Sequence, residues 1–130
     1  MSATANPLVL VVDDDSRSRE LTTLILQSAG MAVAAAEDPQ KAIALLAAAR
    51  PALALVDLVM PGMSGLEFCV WVRLQPEHAD MRFVLLTGMD SDETRREAAR
   101  AGVDAIVTKP LERPRLLSQV NSLLDLPTAR

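Results

Sequence analysis

The sequence predicts a doubly wound α/β domain, one parallel five-stranded sheet with about five helices on its two faces. Three observations lead there. Short apolar runs alternate along the 130-residue chain with amphipathic segments. The connections between them are short, and acids or turn-forming residues gather where the runs end. Strand and helix in strict alternation imply a parallel sheet, because right-handed crossovers place the helices on both sides of it.

Leu8 to Val12 is five consecutive apolar residues, the pattern of a strand buried on both faces. Asp15 or Ser16 then caps a helix with Leu21, Leu24, Ile25 and Ser28 on one face, and Gly30 follows its end. Met31 to Ala36 reads as a weaker second strand. Asp38 before Pro39 is a helix start, since the aspartate accepts from orphan N–H groups and proline has none to lose. That helix is expected to run through Ile43, Leu45 and Leu46 to about Arg50.

Ala52 to Val56 is the third strand and ends in Asp57, after which Pro61, Gly62 and Gly65 mark a loop. Ser64 with Glu67 has capping-box spacing and opens a helix through Phe68, Cys69, Trp71 and Val72. Arg82 to Thr87 is the fourth strand. The acidic cluster Asp90 to Glu93 starts a fourth helix that ends near Gly102. This helix is nearly all charged or alanine, so it buries little apolar area and should be loosely held. Ala105 to Lys109 is the fifth strand, and Leu116, Leu117, Val120, Leu123 and Leu124 form the apolar stripe of a last helix.

Length and composition suit one domain, spanning 1–130, with tails over about 1–6 and 125–130. The apolar runs fall far short of the roughly 20 residues of a membrane span, and Met1 to Pro7 lacks the pattern of a secretory signal. A cytoplasmic location without membrane insertion is therefore expected. Cys69 and the lone His78 cannot build a Cys/His zinc site and are expected to be structural. A net charge of -4 with no basic block gives no footprint for direct nucleic-acid binding.

In doubly wound sheets, ligands bind beyond the carboxyl ends of the strands. Asp13 and Asp14 follow the first strand there, Asp57 the third, and Thr87 and Lys109 close the fourth and fifth. An acid after a strand often only begins a loop or caps a helix, but five such residues in matching places point to chemistry. Three carboxylates held close repel by roughly 4 kcal/mol per pair at about 4 Å and an effective dielectric of about 20. Lys109 alone cannot neutralise three acids, whereas a hard divalent ion such as Mg²⁺ takes oxygen ligands of this kind. An ammonium and a hydroxyl are suitable donors to phosphoryl oxygens, and a carboxylate can serve as nucleophile.

The segments LVLVVDD (Leu8 to Asp14), DLVMPGMSG (Asp57 to Gly65), LTG (Leu86 to Gly88) and AGVDAIVTKP (Ala101 to Pro110) resemble the signature segments of bacterial response-regulator receiver domains of the chemotaxis-regulator type. They come in the family's order and spacing over nearly the whole chain. The resemblance implies a flavodoxin-like strand order 2-1-3-4-5 and a two-component receiver phosphorylated on Asp57. It implies Mg²⁺ (or Mn²⁺) held by Asp13, Asp14, Asp57 and the backbone carbonyl of Val59. Thr87 and Lys109 would bind the phosphoryl group, Gly88 would leave it accessible, and the Lys109–Pro110 bond would be cis. The implied partners are a histidine kinase or histidine phosphotransfer protein and a downstream protein or effector domain. Kinase recognition would fall on the first helix, including Arg17, Arg19, Thr22 and Thr23. A phosphorylation-dependent dimer would use the face of the fourth helix, fifth strand and fifth helix.

The sequence departs from the family at three positions. Many receivers carry an aromatic residue three positions before the lysine, which moves inward on phosphorylation; here that switch position is Ile106. Val59 and Met89, which line the site in the family, are apolar and cannot orient an attacking water, so a long-lived phosphoryl group is expected. Two other functions would use parts of this pattern. A constitutive interaction module with little phosphorylation-driven switching is given room by Ile106, while an intact Asp13, Asp14, Asp57, Thr87 and Lys109 set argues against it. An aspartyl-nucleophile hydrolase of the dehalogenase-like kind usually carries a second acid two residues after the nucleophile, where this chain has Val59.

Overall fold

The computed structural model describes residues 6–125. The expected tails, apart from residues 6 and 125, lie outside the described residues. Five strands, β1 (Leu8–Val12), β2 (Ala32–Ala36), β3 (Leu53–Asp57), β4 (Arg82–Thr87) and β5 (Ala105–Thr108), form one parallel sheet in the order β2-β1-β3-β4-β5. Five α-helices alternate with them: α1 (Ser16–Ser28), α2 (Pro39–Leu46), α3 (Gly65–Arg73), α4 (Asp92–Ala101) and α5 (Arg113–Leu124). A single 3₁₀ turn, Pro76–His78, leads into β4.

The central strands β1, β3 and β4 are buried on both faces, and alternate residues serve two separate cores. Leu10, Val12, Ala54, Val56, Phe83 and Leu85 face α2, α3 and α4. Val9, Val11, Leu53, Leu55, Val84 and Leu86 face α1 and α5. Continuous apolar runs are thus the direct consequence of helices on both sides. Among the described residues, no helix is long and apolar enough to cross a membrane.

Local signals set the helix starts. Asp15 accepts from the N–H groups of Arg17 and Ser18, Asp38 from Lys41, and Ser64 and Glu67 form a reciprocal capping box. Gly102 ends α4 at φ 95°, a left-handed conformation that glycine adopts without strain.

Packing altered two expectations. The buried face of α1 is Thr22, Ile25 and Leu26, whereas Leu21 and Leu24 are 48% and 58% exposed. The sequence offers two overlapping stripes. The one containing threonine is buried because its hydroxyl donates to the Ser18 carbonyl at 2.8 Å and so carries no unmet polar group inward. Thr22 is therefore unavailable as a surface recognition residue. Helix α2 stops at Leu46 rather than near Arg50: beyond Leu46 only alanines precede Arg50, with little to bury. The buried His78 ring closes that end, its Nε2 lying 2.9 Å from the Leu46 carbonyl. Since a carbonyl only accepts, Nε2 carries the proton there.

Cys69 is fully buried, with its thiol 3.3 Å from the Ala101 carbonyl. Helix α4 buries only Ala98, in keeping with its composition.

Candidate functional site

Parallel pairing brings the carboxyl ends of β1, β3, β4 and β5 to one edge of the sheet. Val12 pairs with Val56, Asp57 with Leu86, and Thr87 with Thr108, so the residues just beyond these positions share one rim. Asp13, Asp14 and Asp57 each present a carboxylate oxygen, all within 4.8 Å of one another, a group able to hold a metal ion. Lys109 reaches in from the end of β5. Its Nζ lies 3.2 Å from Asp13 Oδ2 and 3.1 Å from Asp57 Oδ1.

Burial differs across the cluster and divides its chemistry. Asp13 is fully buried, Asp57 is partly buried and Asp14 is exposed. Burial pushes the Asp57 carboxyl above its ordinary value; Lys109 opposes that rise, and Asp13 and Asp14 add to it. Burial disfavours the Lys109 ammonium, but Asp13 and Asp57 outweigh it and raise its pKa. One ammonium shared by two of three gathered acids leaves an excess of negative charge in hard oxygen donors, which suits a divalent cation.

Backbone hydrogen bonds join the segments that carry these side chains. The Lys109 N–H donates to the Thr87 carbonyl at 2.8 Å, and the Lys109–Pro110 bond is cis. Leu58 N–H donates to Leu86 O and Gly65 N–H to Leu58 O, both at 2.8 Å, tying the β3–α3 loop to β4. The Thr87 hydroxyl engages its own loop, accepting from Met89 N–H at 3.0 Å and lying 3.2 Å from the Met89 carbonyl. A Cβ added at Gly88 would meet nothing within 4 Å, so the space beside Gly88 is open. Val59 and Met89 stand exposed at 75% and 72%. Ile106 lies off this rim, packed against the α2, α3 and α4 core, with a cavity of about 160 Å³ between it and α4.

Three contributors were not assigned from sequence. Gly65 read as a loop glycine, but a Cβ there would run into the Asp57 carbonyl oxygen, far inside van der Waals contact. Arg19 was expected only among the kinase-recognition residues of the first helix, yet its Nη1 donates to the Asp13 carbonyl at 2.8 Å. Arg73 spans the far side of the molecule: it donates to the carbonyls of Gly102, Ala79 and Met81 and pairs with Asp104 at 3.1 Å. Asp104 also accepts from Phe83 N–H at 2.8 Å. An arginine near the end of an apolar helix and an acid just before β5 were the available signals, and neither specifies a partner across about 30 residues.

Residues 9–121 match the family described as the response regulator receiver domain. Response regulator MprA of Mycolicibacterium vanbaalenii is 35% identical over 116 residues, covering 89% of this chain and 49% of that protein. The phosphate regulon regulator PhoB of Pseudomonas aeruginosa is 28% identical over 116 residues, covering 89% and 51%. The chain thus spans about half the length of these relatives. An uncharacterised 14.6 kDa protein of Leptolyngbya boryana is 34% identical over 112 residues, covering 86% of each chain. Among solved structures, the Vibrio cholerae chemotaxis protein CheY4 superposes with a TM-score of 0.89 at 32% identity, over 92% of this chain and 99% of its own. With the sheet order, the acid cluster and these likenesses together, this chain belongs to the response regulator receiver domains, the signalling domains of two-component systems.

Proposed function

We propose that this receiver is a phosphorylation switch in which Asp57 accepts a phosphoryl group from a histidine kinase or histidine phosphotransfer protein. One observation carries the reading: the Lys109 ammonium, 3.2 Å from Asp13 and 3.1 Å from Asp57, beside three carboxylate oxygens within 4.8 Å. Asp13, Asp14, Asp57 and the Val59 backbone carbonyl would hold Mg²⁺ or Mn²⁺, whose charge offsets that of the acids and of phosphoryl oxygens. An Asp57 carboxylate oxygen bonds to phosphorus as the donor's phosphorus–nitrogen bond breaks, and the electron pair leaves with the imidazole. Lys109 then donates to a phosphoryl oxygen. The Thr87 hydroxyl exchanges its contact with Met89 for a second one, and Gly88 leaves the approach clear.

The same reading takes residues 1–130 as a single cytoplasmic receiver domain, with tails at about 1–6 and 125–130. Its output is a changed protein contact on a downstream protein or effector domain, or a dimer through α4, β5 and α5. It involves no direct nucleic-acid contact. Intact mass after incubation with acetyl phosphate or phosphoramidate, with and without Mg²⁺, tests the chemistry. A Mg²⁺-dependent gain of one phosphoryl group, absent from Asp57→Asn, is expected. No gain in folded protein would replace the reading with a constitutive interaction module, to which Ile106 in place of a ring is better suited.

A further inference from the structure

Asp13 is 0% exposed, and its four polar groups each have a partner. Its N–H donates to the Ala36 carbonyl at 3.1 Å, Oδ1 accepts from the Asp15 N–H at 3.0 Å, and Oδ2 pairs with Lys109 at 3.2 Å. The fourth group, its carbonyl oxygen, accepts from Arg19 Nη1 at 2.8 Å. The first three partners are backbone groups or a residue already placed at the rim. Among the described residues, Arg19 is the side chain from outside the rim that hydrogen-bonds this residue, from the first turn of α1 back over the end of β1.

The geometry gives that bond leverage. The Asp13 carbonyl oxygen and the Asp14 N–H belong to one planar peptide. Holding the oxygen therefore sets the rotation of the unit from which both acids project. The donor is a guanidinium, always charged and stronger than a neutral donor to the same oxygen. We infer that Arg19 is a positioning residue for the acid cluster, orienting Asp13 and Asp14 through the Asp13 carbonyl and so setting the cluster's affinity for a divalent cation. This rests on the proposed cation site.

Two effects of removing Arg19 have opposite signs, which makes the inference testable. Loss of a nearby positive charge would by Coulomb's law tighten cation binding. Loss of orientation would weaken it, and partners that orient metal ligands typically cost about tenfold or more when removed.

Calorimetric Mg²⁺ titration of wild type, Arg19→Ala and Arg19→Lys reads the sign. Arg19→Ala is expected to bind about tenfold more weakly, with part of the loss recovered by Arg19→Lys, which keeps a charged donor. In metal-free protein, the amide resonance of Asp15, whose N–H is held by Asp13, should move in Arg19→Ala and less in Arg19→Lys. Equal or tighter Mg²⁺ binding by Arg19→Ala, or an unmoved Asp15 resonance, overturns the inference and leaves the phosphorylation reading standing. A wild type that binds no Mg²⁺ overturns both.

Discussion

Replacing Asp57 with asparagine should stabilise this protein when divalent cations are removed. The three carboxylate oxygens lie within 4.8 Å of one another, and at that outer limit, with an effective dielectric of about 20, a pair repels by about 3.5 kcal/mol. Asp57 faces two such neighbours, but Asp14 is exposed and its share is screened. Against this stands the attraction of Lys109 at 3.1 Å, about 5 kcal/mol on the same scale. These opposing Coulomb contributions nearly cancel, so burial of the Asp57 charge decides the sign. Asparagine removes that cost while Lys109 keeps Asp13. The expected gain is about 1–2 kcal/mol, or about 3–8 °C in Tm for a chain of this size.

The pH dependence has a definite direction. The folded-state pKa of Asp57 is raised above its ordinary 3.8. Protonation therefore favours the fold, a contribution fully present below 3.8 and lost as pH rises through the folded value. The advantage of Asp57→Asn should be greatest at neutral pH and disappear in acid. Urea unfolding of both proteins in EDTA measures it. With saturating Mg²⁺ the gap should close or reverse, because the wild type then uses Asp57 as a ligand. A variant less stable than wild type at neutral pH in EDTA would refute the reasoning.

Further outcomes are expected. Gly65→Ala forces a methyl into the Asp57 carbonyl and should cost about 1–3 kcal/mol in urea unfolding, with slower labelling by acetyl phosphate. Arg73→Ala removes the ion pair to Asp104 and the donors to the carbonyls of Gly102, Ala79 and Met81, and should cost about 3–5 kcal/mol in urea unfolding. Ile106→Phe should change stability by less than about 1.5 kcal/mol, because open volume lies beside it toward α4. The phosphoryl group should be long-lived in purified protein, since exposed Val59 and Met89 offer no side-chain hydrogen bond to water. Introducing Glu at position 89 should shorten its lifetime, measured by decay of the phosphorylated mass, and an unchanged lifetime would show that this position does not govern water access.

Much of the architecture was legible in the residues themselves. Runs such as Leu8–Val12 and Leu53–Asp57 announce strands because a sheet covered on both faces demands apolar residues at every position. Asp15, Asp38 and Ser64 announce helix starts because capping is a bond between near neighbours. The gathering of Asp13, Asp14, Asp57, Thr87 and Lys109 follows from strand ends in parallel register, which alternation along the chain already implies. Tertiary structure decided whatever depends on a partner distant in sequence. Which stripe of α1 turns inward was settled by the Thr22 hydroxyl and the sheet it meets, not by periodicity. That Arg19 grips the Asp13 carbonyl, that Gly65 has no room for a methyl, and that Arg73 joins Gly102 and Asp104 are results of chain segments meeting in space. Local patterns record how a segment satisfies itself; they carry no record of which long side chain will satisfy a carbonyl that folding brings within its reach.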